Sequence, residues 1–136
     1  MGELANSVQK NNGEILGVIP THLLEMEVAK KDVTSFIITE NMHERKKVMF
    51  MNSEVIIILP GGIGTLDEFF EVLTWRQLNL HNKNIYILNI NGFWNKLISL
   101  LDELVATEFI ESSVHGYYSV LTSIDEIDII LQNKKV

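Results

Sequence analysis

Three glycines, Gly61, Gly62 and Gly64, stand between the apolar run 55–59 and a stretch able to form a helix. Glycine lets the backbone turn sharply and approach a ligand without a Cβ in the way. At a helix start the exposed amides, together with the positive end of the helix dipole, favour a phosphate or another anion. The spacing lacks the Gly-Lys-Ser/Thr ending of a P-loop and the Gly-x-Gly-x-x-Gly of a dinucleotide fold, so neither ATP nor NAD is favoured. A tight turn serving geometry alone is the plainer alternative. Glu68 would lie beside the anion, ionised by the helix dipole and able to act as a base or to stabilise developing positive charge. Thr65 and Glu68 also have the Thr-x-x-Glu relation of a capping box, which predicts a helix over 66–80 capped by Thr65. On this reading Asp67 is a surface acid suited to the dipole.

The second group of candidates is at 41–47. Asn41-Met-His-Glu44 has the same capping relation and predicts a helix over 41–51, which puts Arg45 and Lys46 near its amino end. Cations there oppose the macrodipole, so local stability gives little reason for them, whereas a ligand anion would. A guanidinium matches phosphate or carboxylate geometry in bidentate fashion, which makes Arg45 the stronger candidate; a solvated Arg-Lys-Lys face is the alternative. His43 is either a ligand contact or a polar contact at the helix start. His22, His81 and His115 have no metal-ligand spacing, and no metal site or cofactor is expected.

The elements that must position these residues follow from periodicity. Five apolar residues at 55–59 without alternation predict a strand buried on both faces, as in a parallel sheet covered by helices. Further strands are expected at 14–19, 34–38, 85–90 and 117–121. Helices are expected at 3–10, 93–105 and from 124, with 21–33 as loop. Alternation of this kind implies a doubly wound, Rossmann-like α/β sandwich with right-handed crossovers, whose ligands collect outside the carboxyl ends of the strands. Trp75 falls on a wide apolar helix face and reads as core or subunit packing.

A chain of 136 residues, 46% hydrophobic, can bury a proper core and is expected to form one domain over 1–136. Its net charge of -7 is the opposite of a general nucleic-acid binder, although a small anion is still accommodated by a local basic group. With no cysteine, disulfides, thiolate metal sites and cysteine nucleophiles are excluded. No run reaches about 18 apolar residues, and the start lacks the basic-then-apolar order of a signal peptide. The expectation is a soluble protein of the cytoplasm with no membrane partner.

Met42-His-Glu-Arg-Lys46 followed by Pro60-Gly-Gly-Ile-Gly-Thr-Leu-Asp-Glu68 resembles the paired signature of the LONELY GUY family of cytokinin riboside 5'-monophosphate phosphoribohydrolases. The similarity continues through Gly17-Val-Ile-Pro20, Glu71-Val-Leu-Thr-Trp75 and Asn91-Gly-Phe-Trp94. The resemblance implies hydrolysis of the N-glycosidic bond of a nucleoside 5'-monophosphate to a free base and ribose 5-phosphate, usually by a dimer or a larger assembly. It implies Arg45 and Glu68 as the catalytic pair. It also implies substrate contacts from Gly61, Gly62, Ile63, Gly64, Thr65 and Asp67 in the glycine motif, and from Glu27, His43, Lys46 and Thr74. The run Met26-Glu-Val-Ala-Lys30 differs from the family's usual Glu-Ile-Thr-Gly. Members begin with two βα units that end in a Gly-Gly-Gly run, to whose end Met1-Gly2 corresponds, so an amino-terminally truncated domain is expected. Two alternatives stand beside the enzyme: a non-catalytic module that binds a nucleotide or the molybdenum cofactor, and an inactive fragment.

Overall fold

The computed structural model describes residues 2–24 and 35–132, and the chain forms two compact units, Met1–Ser53 and Glu54–Val136. In the first unit, helix α1 (Gly2–Lys10) ends in a turn where Asn12 takes a positive φ of 58° and Gly13 N–H bonds back to the Val8 carbonyl. Strand β1 (Leu16–Pro20) then pairs in parallel with β2 (Ser35–Thr39), with Gly17 opposite Phe36 and Ile19 opposite Ile38. Helix α2 (Met42–Met51) follows β2 almost at once. Its start is the predicted one: the Asn41 side chain accepts from Glu44 N–H at 2.9 Å, and the Glu44 carboxylate accepts from Glu40 N–H at 2.6 Å. The Asn41 bond satisfies a helix-end amide that would otherwise lack a partner, and the Glu44 bond ties the helix to the residue before its cap.

The second unit is a three-stranded parallel sheet in the order β3-β4-β5, formed by Val55–Ile58, Asn84–Leu88 and Tyr118–Leu121. Helix α3 (Ile63–Gln77) connects β3 to β4, helix α4 (Asn95–Ala106) connects β4 to β5, and α5 (Asp125–Gln132) follows β5. Because side chains alternate along a strand, the register sets Ile56, Ile85 and Tyr118 in one row and Ile58, Ile87 and Val120 in the next row on the same face. Against that face α3 contributes Phe69 and Leu73, and α4 contributes Leu97 and Leu101; with Trp94 and Val114 they close one core. Phe69, Ile87 and Ile85 are its most deeply buried members. The architecture is α/β with parallel strands flanked by helices, as expected of a Rossmann-like fold.

Several boundaries differ from the sequence reading. Among the described residues β3 pairs with β4 alone, and of its residues only Ile58 is buried, so the burial expected on both faces of 55–59 belongs instead to the central strand β4. Strand β4 stops at Leu88 because Asn89 turns its side chain to the chain ahead, accepting Trp94 N–H and donating to Asn95 Oδ1, both at 2.7 Å. Ile90–Gly92 then forms a short 3-10 turn with Asn91 and Gly92 at positive φ, and the helix expected from 93 begins at Asn95. His81 fastens the link between α3 and β4: its Nε2–H reaches the Val72 carbonyl at 2.9 Å while Nδ1 accepts Lys83 N–H at 3.1 Å.

Helix α5 is held by Glu126, whose Oε1 accepts from the backbone and hydroxyl groups of Thr122 and Ser123. These bonds, Thr122 N–H foremost, hold the Glu126 carboxyl below its ordinary value of 4.5. Its folded form therefore binds a proton less readily than the unfolded chain does. The cap contributes fully above the ordinary value and is lost as pH falls through the lower folded one. A carbon-detected titration of the glutamate carboxyls should give Glu126 a midpoint below 4.5, with fraying of 125–132 at the same pH.

Candidate functional site

The glycine-rich turn leaves the carboxyl end of β3, the edge at which α/β sheets bind ligands. Helix α3 starts earlier than its sequence indicates. Gly62 is its N-cap, in an extended conformation (φ -102°, ψ -151°), and Leu66 N–H to the Gly62 carbonyl, at 3.1 Å, is its opening bond. The Thr65–Glu68 capping box is therefore not formed: Thr65 lies inside the first turn, no side chain caps the helix, and its first turn holds no acid. Helix geometry leaves the N–H groups of Ile63, Gly64 and Thr65 without intrahelical acceptors. With the dipole behind them, they form a positive end suited to an anion.

The three glycines serve two different purposes. A Cβ on Gly61 would collide with the Thr65 side chain, coming onto its Oγ1 and within 3.0 Å of its Cβ, so glycine is required there by close packing of the turn on the helix. At Gly62 and Gly64 a Cβ would meet nothing within 4 Å, and neither has a positive φ. Among the described residues fold geometry does not demand glycine at those two places, and glycine there leaves the backbone bare for close approach of a ligand. Gly64→Ala, within a helical turn, should raise stability by about 0.5–1 kcal/mol, while phosphate-group affinity falls. Gly61→Ala should instead lower stability. Thermal denaturation paired with calorimetric titration of a nucleoside monophosphate separates the two outcomes.

Glu68 is half-buried on α3, four residues after Gly64 and hence on the same helical face, and side chains on a helix lean towards its amino end. The carboxylate is thus carried towards the glycine turn. Its neighbour Phe69 is fully buried, so the segment bearing Glu68 is anchored by the core. Ile63 is 85% exposed at the first helical position. Asp67 and Thr74 are exposed, and the Thr74 hydroxyl donates to the Phe70 carbonyl at 2.7 Å.

The other predicted residues lie in the first unit. Arg45 is half-buried in the second turn of α2, and its Nε–H donates to the Val18 carbonyl of β1 at 3.0 Å. That bond supplies a structural reason for a cation at this helix start which the sequence alone does not reveal, and it fixes the direction in which the Nη atoms leave. Lys46 is half-buried, His43 is exposed, and the helix cap is Asn41 rather than His43. Glu27 lies outside the described residues. Sequence reasoning missed Thr39, 3% exposed at the end of β2, whose hydroxyl donates to the Asn41 carbonyl at 3.3 Å. Its only signal was a threonine placed two residues before the capping asparagine. Among the described residues no three His, Cys, Asp or Glu side chains come together as metal ligands, and no helix is long and apolar enough to cross a membrane.

The sequence profile of a family described as "Possible lysine decarboxylase" matches residues 1–130. A probable cytokinin riboside 5'-monophosphate phosphoribohydrolase of Oryza sativa subsp. japonica is 42% identical over 83% of this chain and 50% of its own. Another from the same plant is 35% identical over 93% of this chain and 55% of its own. A cytokinin riboside 5'-monophosphate phosphoribohydrolase of Arabidopsis thaliana is 39% identical over 83% of this chain and 50% of its own. The chain spans about half the length of the curated relatives it matches. A profile match across nearly the whole sequence, together with relatives of 35–42% identity, establishes that this chain belongs to the possible lysine decarboxylase family, the LONELY GUY family.

Proposed function

We propose that this chain serves hydrolysis of the N-glycosidic bond of a nucleoside 5'-monophosphate, a cytokinin riboside monophosphate or AMP, releasing the base and ribose 5-phosphate. The observation that carries the proposal is the uncapped start of α3, where Gly62 and Gly64 leave open space before the helix amides. A phosphate monoester is the group such an end receives best. Membership of a family whose curated relatives carry that activity in their names supports the same reading.

In this reaction the C1'-N bond breaks with its electron pair leaving on the base, and positive charge builds on the ribose ring. Glu68 stabilises that charge and orients the attacking water, as a carboxylate does in glycoside hydrolysis. Arg45 grips the anionic substrate through its guanidinium and turns that remote binding energy into placement of the ribose. Lys46, His43, Thr65, Thr74, Ile63, Asp67 and Glu27 complete the proposed substrate contacts. The proposed setting is the cytoplasm, and the proposed assembly is a homodimer.

Incubation with AMP, with chromatography for adenine and calorimetry for binding, tests the proposal. Release of adenine together with ribose 5-phosphate is expected. Binding without release would leave only a carrier, and absence of both would overturn the reading.

A further inference from the structure

The structure assigns a positioning role to Thr39, the buried threonine at the end of β2: its hydroxyl sets the start of α2 and thereby aims the Arg45 guanidinium. The inference rests on the reading that Arg45 grips the substrate anion, and it adds what keeps that group in place. A long side chain such as arginine has many rotamers, and holding it in one costs entropy unless the protein supplies the geometry in advance.

Two of the contacts that Arg45 makes bear on its placement. One is the Nε–H bond to the Val18 carbonyl of β1 at 3.0 Å, which sets the plane of the guanidinium. The other is at the backbone, where Arg45 N–H bonds to the Asn41 carbonyl at 3.1 Å as the first helical bond of α2. That carbonyl also accepts the Thr39 hydroxyl at 3.3 Å. Thr39 is itself tied to the chain after β1, since the Thr21 hydroxyl donates to the Thr39 carbonyl at 3.0 Å. The carboxyl ends of β1 and β2 are thus cross-linked to the helix start that carries Arg45. Without the hydroxyl, one tie between the end of β2 and the helix start is lost, and the Nε–H bond to Val18 weakens with it.

Threonine at a 3% exposed position is costly unless its hydroxyl is bonded, and valine would fill the same volume without a polar atom. Strand stability alone would accept valine at this position as readily as the natural residue, so the hydroxyl marks a positioning requirement.

The chain has two arginines, Arg45 and Arg76, so nitrogen-15 labelling gives two Nε–H signals, and Arg76 serves as the internal reference because its bond to the His81 carbonyl uses Nη1. In the natural chain the Arg45 Nε–H should exchange with solvent about tenfold more slowly than that of Arg76, the protection expected of one hydrogen bond. Thr39→Val should bring the two rates to within about twofold of each other and lower kcat for base release by about tenfold with KM little changed, while Thr39→Ser restores both. An Arg45 signal that exchanges as fast as Arg76 in the natural chain overturns the inference whether or not the valine variant folds. So does slow exchange that survives in Thr39→Val. If no base is released by any variant, the functional reading fails while the exchange data still decide the role of Thr39.

Discussion

Glu68→Gln is expected to lower base release from a nucleoside 5'-monophosphate by on the order of a hundred- to a thousandfold, the usual cost of removing one preorganised electrostatic contact to a transition state. Glutamine keeps the size and shape of the side chain, so the half-buried position on α3 is filled as before. What disappears is the negative charge proposed to face the ribose as the glycosidic bond breaks. The substrate in its ground state carries no positive charge on the sugar, so the affinity for the intact nucleotide should change little. Single-turnover release and calorimetric titration on the same preparation read the two quantities separately. A variant that loses affinity and turnover equally would place Glu68 in ground-state binding, and undiminished turnover would remove it from the reaction.

The second large effect is on stability. Phe69→Ala should cost about 3–5 kcal/mol, because it empties the position of a fully buried aromatic ring and leaves a cavity that rigid neighbours fill only in part. Those neighbours are the Phe70 ring, whose centroid lies 5.3 Å away, and the Tyr118 ring of β5, edge-on at 6.2 Å. Tyr118 also reports on the site: burial, and after it the nearby Asp102 carboxylate, push its phenol above the ordinary value of 10.0. Opening a cavity beside it should bring that titration back down. Against a typical domain stability of about 5–15 kcal/mol, the loss is large enough to leave a substantial unfolded fraction. Urea titration of the variant beside Phe69→Leu, which fills part of the space, would show a graded drop in midpoint. Equal midpoints for all three chains would mean that the ring is not a structural anchor.

The sequence disclosed the local patterns and concealed the long-range ones. The apolar run ending at Pro60, the glycines and the amphipathic stretch after them specify strand, turn and helix through forces acting within a few residues, and all three elements are found. The start of α3 was misplaced because Thr65 and Glu68 imitate a cap in one dimension. In three dimensions Gly62 takes the extended cap conformation, and the Thr65 side chain packs against Gly61. Asn41 and Glu44 show the converse case, where the same relation is a true cap. Arg45 was recognisable as a candidate from its unfavourable place in the helix dipole, but its bond to Val18 joins residues 27 apart in sequence, and nothing local encodes it. Thr39 was invisible for a related reason: threonine suits exposed and buried strand positions alike, and only the fold decides which.

The adjacency of Glu68 and Phe69 on α3 has a bearing on heat. The acid proposed to act on the ribose and the ring sealed in the core are consecutive residues of one rigid rod, so warming cannot loosen one and spare the other. Displacement of the Glu68 carboxylate and melting of the second unit should accordingly trace a single curve, with no temperature interval in which that unit is folded but its acid has already been lost.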